Sequence, residues 1–221
     1  MLGHIHFVDI YFIMNYKTLI IFISILVTDI STYNCVLADE RNSEQRQIIL
    51  EFHKALISSM KASSIETNLK RFNELKPIIT RSFHIPTMTK IIAGSAWNNS
   101  SENQQKKLIE AFVRVTTATY ISQFNSFSGQ VFKIVAETDG PQDTSLINTQ
   151  IISPGRKPVS IIYVMRHIKS KLGIIDVLLG MRISELAKKR SEYRRSLFTN
   201  GLEGLIKTLN RKSEKILSQL N

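Results

Sequence analysis

The stretch Lys171–Leu209, KLGIIDVLLGMRISELAKKRSEYRRSLFTNGLEGLIKTL, holds a strand, a glycine break and two helical segments with readable ends. Ile174 to Leu179 is apolar except for Asp176 and rich in β-branched side chains, so it predicts a strand covered on both faces. Gly180 ends that strand. Ser184 stands where a side-chain oxygen accepts from the free N–H groups of a helix start, and Glu185 follows on the favourable side of the helix dipole. Asn200-Gly201 supplies a left-handed stop, which predicts one helix from Ser184 to Thr199 and a second after it.

Upstream, the chain is helical first. Between Asn42 and Met60, Ile48, Ile49, Phe52, Leu56 and Met60 recur at the three-and-four spacing of an amphipathic helix, with His53 beside the stripe. Ser64 to Phe83 continues the pattern, and Pro77 is expected to kink or divide it. Pro86 opens a short helix that Gly94 closes, its apolar face made of Met88, Ile91 and Ile92. Ser101 to Gln104 is a capping box opening the longest helix, which should run to about Phe127. Its apolar positions spread over an arc too wide for one neighbour, so it should lie across a sheet with other helices alongside.

Four strands are predicted between that helix and the closing helices: Gln130 to Thr138, Ser145 to Ser153, Pro158 to His167, and Leu172 to Leu179. The connections DGPQD, SPGRKP and IKSK are short and turn-rich, which predicts antiparallel hairpins in a meander. Val159, Ile161, Tyr163 and Met165 share one face. Helices first, a four-stranded antiparallel meander next and two closing helices give an α+β fold, with helices packed on one side of a curved sheet.

The chain has 221 residues, room for one domain of ordinary size and a processed end. Leu19 to Val27 is apolar except for Ser24, follows Lys17, and precedes Val36-Leu37-Ala38 with the small residues of a signal-peptidase site. Residues 1–38 are therefore expected to be a cleavable signal peptide, with a natural start at Met14 as an alternative, and residues 39–221 a single exported domain, which the resemblance described below would make periplasmic. Cleavage after Ala38 removes Cys35, the only cysteine, and with it disulfide and Cys-metal chemistry.

Charge is the other global signal. The chain carries 29 basic and 18 acidic residues, and from Arg182 onward ten Lys or Arg face four Glu. Such a surface favours an anionic membrane or an acidic partner. No recognition-helix or RNA-binding aromatic signature accompanies it, so nucleic acid is not expected. Catalysis finds no constellation: His53, His84 and His167 are dispersed, and the best pair, His167 with Asp176 on adjacent predicted strands, lacks a nucleophile. No metal-ligand spacing or phosphate loop is present, so neither a metal nor a cofactor is expected.

The 33 residues IIDVLLGMRISELAKKRSEYRRSLFTNGLEGLI resemble the C-terminal half of the MlaC-like toluene-tolerance family, periplasmic lipid-binding auxiliaries of ABC transporters. ISELAKKRSEY is most similar to the hopanoid-associated HpnM branch. Earlier segments agree: Met88 and Gly94 with Trp97, then Glu110-Ala111-Phe112, Thr119-Tyr120, Phe124 with Phe127 and Gly129, and Pro158-Val159 before Tyr163-Val164-Met165-Arg166. The resemblance spans roughly Ile48 to Leu209. Gly173 departs from it, since the family usually carries a Trp there.

The resemblance implies a nuclear-transport-factor-like cone whose sheet and helices enclose an apolar cavity, with lipid as cargo. It places the lining among Phe83, Met88, Ile92, Phe112, Tyr120, Phe124, Ile161, Tyr163, Met165 and Val177. It implies a carrier moving phospholipid or hopanoid-type lipid between membrane transporter components, with the dense basic group Lys188, Lys189, Arg190, Arg194 and Arg195 as a docking surface. Composition by itself leaves a second reading open, a periplasmic structural or adaptor module with a solid core that binds a transporter.

Overall fold

A computed structural model describes residues 43–180 and 183–220. The expected signal peptide, Met14 and Cys35 lie outside the described residues. Residues from Glu44 onward form one compact unit, and among the described residues no helix is long and apolar enough to cross a membrane.

Helix α1 (Glu44–Ala62) buries Ile49, Phe52, His53, Leu56 and Met60 along one face. Helix α2 (Asn68–Ser82) starts later than the apolar pattern suggested, because Thr67 caps it by accepting from the Lys70 backbone N–H. Pro77 neither ends nor divides α2. Pro77 and the residue one turn before it, Asn73, both face solvent, so water can serve the carbonyl that proline leaves without a donor. Helix α3 (Ile85–Ala93) is capped by His84 and stopped at Gly94, whose φ of 56° suits glycine. Met88 and Ile92 are buried there as expected, whereas Ile91 is exposed. A single turn, α4 (Ser95–Asn98), leads to α5.

Helix α5 (Glu102–Gln123) opens with the expected capping box of Ser101 and Gln104, both reciprocal bonds being present. It ends at Gln123 rather than near Phe127. Arg71 explains the stop: its buried guanidinium donates to the carbonyls of Ile121 at 3.2 Å and Phe124 at 2.8 Å, and to Ser59 O at 2.9 Å. A cation on the last carbonyls both satisfies them and opposes the negative end of the helix dipole.

The sheet follows: β1 (Val131–Gly140), β2 (Thr144–Ile152), β3 (Val159–Ile168) and β4 (Lys171–Leu179), each antiparallel to the next. The sequence predicted four strands, and the sheet has five, because Ile183–Ser184 (β5) turn back to pair with Leu178 and Leu179. Two residues of pairing leave no periodicity to read. Register shifts near Val135 on β1 and Ile175 on β4 interrupt the alternation. The first turns Glu137 to where it meets Arg46 at 2.9 Å. The second lets Ile174 and Val177 both be buried.

Gly173 has a packing role. A Cβ there would lie 3.0 Å from the His84 nitrogen, which itself donates to the Ile174 carbonyl at 2.8 Å. The chain between α2 and α3 thus runs against β4 where a side chain would stand, and the Trp that the resemblance led one to expect there has no room. Helix α6 (Glu185–Ser218) closes the fold, and Gly201 (φ 60°, ψ −161°) divides it into two arms at the stop that the sequence marked. Leu202, Leu205, Ile206 and Leu209 of the second arm are buried.

Candidate functional site

Between α5, the arms of α6 and the β3–β4 part of the sheet lies a chamber of ≈ 380 Å³, within the range of about 300–1,000 Å³ usual for small-molecule sites. Its position follows from the elements that frame it. Helix α5 presents Phe112, Thr116, Thr119, Tyr120 and Gln123 along successive turns, with Phe124 at its end. Ile161 and Tyr163 of β3 stand opposite Leu179 and Val177 of β4, and all four line the space. Phe83 and Met88 close one side. The aromatic wall is packed edge to face: Phe52 lies 5.3 Å from Phe83 and 5.2 Å from Tyr120, and Tyr120 stacks on Phe124 at 5.9 Å.

Eight of the ten expected lining residues meet at this chamber: Phe83, Met88, Phe112, Tyr120, Phe124, Ile161, Tyr163 and Val177. Ile92 and Met165 do not, being buried in the solid part of the core. Met165 pairs with Ile174, beyond the register positions that line the chamber. The sequence reading also missed Thr116, Thr119 and Gln123, which share the helical stripe of Phe112 but carry polar ends. Leu186 and Ile216 of α6 were missed for another reason, since only the bend at Gly201 brings both arms to one space.

The rest of the lining is charged: Asp176, Glu185, Lys188, Lys189, Glu192 and Lys212. Lys188 lies 3.8 Å from Glu185, and Lys212 pairs with Glu192. Asp176 holds the start of α6: its Oδ1 accepts from Leu186 N at 3.0 Å and Val177 N at 2.7 Å, while Oδ2 accepts from the Ser184 hydroxyl at 2.5 Å. The Ser184 hydroxyl oxygen in turn accepts from Ala187 N at 2.9 Å, the cap read in the sequence. Lys189 makes no ion pair or hydrogen bond among the described residues, and burial, then the neighbouring Lys212, lowers its pKa.

This divides the expected docking group. Arg190, Arg194 and Arg195 are exposed, without ion pairs among the described residues, and Phe198 on the same arm is 93% exposed. Lys188 stands at the chamber rim, and Lys189 belongs to its lining rather than to the outer surface. His167 and Asp176 do not meet. His167 pairs in register with Leu172 and lies exposed, 3.8 Å from Glu44, while Asp176 pairs with Val164 and is committed to α6.

His53 has a role the sequence did not show. It is buried, stacks on Phe132 at 4.2 Å and has Nε2 3.1 Å from the Tyr163 hydroxyl, and burial lowers its pKa to about 4. A second, open hollow of ≈ 610 Å³ lies on the outer side of α2 and α5, where Lys76, Lys107, Glu110, Arg114, Glu203 and Lys207 surround the few apolar side chains Phe72, Ala111 and Ile206.

Residues 51–211 match the family described as MlaC protein. The fold is similar to a solved structure described as the phospholipid-binding protein from Ralstonia solanacearum in complex with a phospholipid, with a TM-score of 0.65 and 14% identity over 77% of this chain and 95% of that one. At that identity the likeness is one of fold. No functionally curated protein matches the sequence.

Proposed function

The chain belongs to the MlaC protein family, and on that premise we propose that it is a lipid carrier: it holds the acyl chain of a lipid in the chamber between α5 and β3–β4. The observation that carries this reading is the chamber itself, whose lining joins aromatic and aliphatic side chains to a set of charged ones drawn mostly from the arms of α6. That combination suits a molecule with an apolar tail and a polar head. The fold neighbour described as phospholipid-binding supports the same class of cargo.

Transfer of each CH₂ from water is worth about 0.8 kcal/mol, so an ordinary acyl chain gains on the order of 10 kcal/mol by burial. Release into solvent is correspondingly slow. Delivery then requires docking to a membrane or membrane protein that opens the chamber, and the exposed Arg190, Arg194, Arg195 and Phe198 are the surface we assign to it. The cargo is a phospholipid or a hopanoid-type lipid, the latter suggested by the likeness of ISELAKKRSEY to the HpnM branch. Residues 1–38 are read as a cleaved signal peptide, which places the mature domain, 39–221, in the periplasm between the membrane components it serves.

Native mass spectrometry of the mature protein from a periplasmic preparation tests this. A carrier retains lipid as a mass increment lost on organic extraction; protein isolated at its bare mass points instead to an adaptor module with a solid core.

A further inference from the structure

Three lysines and three carboxylates line the chamber, and the lysines differ in their partners. Glu185 answers Lys188, Glu192 answers Lys212, and Asp176 is held by two backbone N–H groups and a hydroxyl at the start of α6. Lys189 is left over. It lines the chamber, is only partly exposed, and has no carboxylate in contact among the described residues. A cation held away from water without a counter-charge is unfavourable, and an anion beside it would remove that cost.

Thr116 gives a second, independent indication. It lines the same chamber from α5, is 6% exposed, and its buried hydroxyl has no hydrogen-bond partner. Its neighbours Thr117 and Thr119 donate to the carbonyls one turn earlier, at 2.8 Å and 2.7 Å, so the helix itself does not forbid satisfaction. An unpaired buried hydroxyl on a residue that lines a cavity can take a ligand oxygen as its partner.

We propose that Lys189, together with the Thr116 hydroxyl, makes the chamber select lipids whose head carries a net negative charge over zwitterionic lipids with the same chains. Lys189 supplies the counter-charge for an anionic phosphate-type head, and Thr116 a hydrogen bond to an oxygen of the cargo. The inference rests on the carrier reading and adds a specificity to it. Burial already lowers the pKa of Lys189, and an anion bound beside it would raise that pKa again. Glu185 and Glu192 face the same group, but each is engaged by its own lysine.

The test offers lipid-stripped protein vesicles containing equal phosphatidylglycerol and phosphatidylcholine with identical chains, then measures the ratio of the two lipids bound. One mixed vesicle removes any effect of attraction of the protein to the surface. Wild type should take up the anionic lipid in about three- to tenfold excess, the range of a partly exposed charge-assisted contact. Lys189→Gln should bring the ratio of the two bound lipids near one, and Lys189→Arg should keep the excess. Equal loading by wild type, or an excess that Lys189→Gln leaves unchanged, overturns the inference and leaves the carrier reading standing. Loading of neither lipid contradicts the carrier reading itself. If stripped protein binds inorganic phosphate through Lys189 while showing no head preference, the site serves free phosphate and the inference fails.

Discussion

The Nε2 atom of His53 lies 3.1 Å from the hydroxyl of Tyr163, so a buried histidine on α1 is joined to a residue that lines the chamber from β3. Burial holds the imidazole neutral, with its pKa lowered to about 4 from 6.5. The unfolded chain therefore binds a proton on His53 at a higher pH than the folded one. The resulting stability is complete above the unfolded value and is lost as pH falls toward the folded one. Denaturant melts should show about 2–3 kcal/mol lost through this group between pH 7 and pH 4.5, and His53→Phe should flatten that dependence relative to wild type. An unchanged pH slope in the variant would show that His53 is not the titrating group.

Asp176 joins β4 to the start of α6 through three accepted hydrogen bonds. Asp176→Ala leaves those donors without a partner in a half-buried place and should cost about 1–3 kcal/mol. The loss should appear as a lower melting temperature and faster amide exchange in the first turn of α6, with the second arm protected as before. Uniform exchange along α6 would contradict this role.

Gly173 tests the approach of residues 83–84 to β4. Gly173→Ala puts a methyl 3.0 Å from the His84 nitrogen and should cost about 1–3 kcal/mol, the usual range for overpacking. A thermal melt that matches wild type would mean the segment yields freely.

Phe198 and the three exposed arginines test docking. Phe198→Asp should leave stability within about 0.5 kcal/mol, since the side chain is 93% exposed. The same change, or Arg190, Arg194 and Arg195 together to Glu, should weaken binding to anionic vesicles. Wild-type binding should also fall as salt rises, because exposed ion contacts are screened. Binding that ignores both salt and the substitutions places docking elsewhere.

How much could be read beforehand follows from which signals are local. The capping box at Ser101, the cap at Ser184, the stop at Gly201 and the alternation in β3 depend on neighbours in sequence, and each is found where it was read. Whether Pro77 would divide its helix was not legible, because that depends on whether the freed carbonyl meets water, a property of the folded surface. The end of α5 is set by Arg71, fifty residues from Ile121, and no periodicity carries that. The chamber's apolar wall was legible only through the family resemblance, because large side chains facing a sheet describe a solid core equally well. Its charged side was not legible, because Lys189 reads as one more basic residue in a basic helix until α6 is seen to turn it toward the chamber.

The central claim is that the space beside Val177 belongs to a lipid rather than to the core, and Val177→Trp tests it most directly. Val177 lines the chamber, and in a solid core the larger ring would overpack it at about 1–3 kcal/mol. A thermal melt and a lipid extraction are made on the same samples of wild type and variant. The account predicts lipid in the wild type, none in Val177→Trp, and nearly equal melting temperatures of the two lipid-stripped proteins. Wild type free of lipid beside a strongly destabilised variant would contradict it.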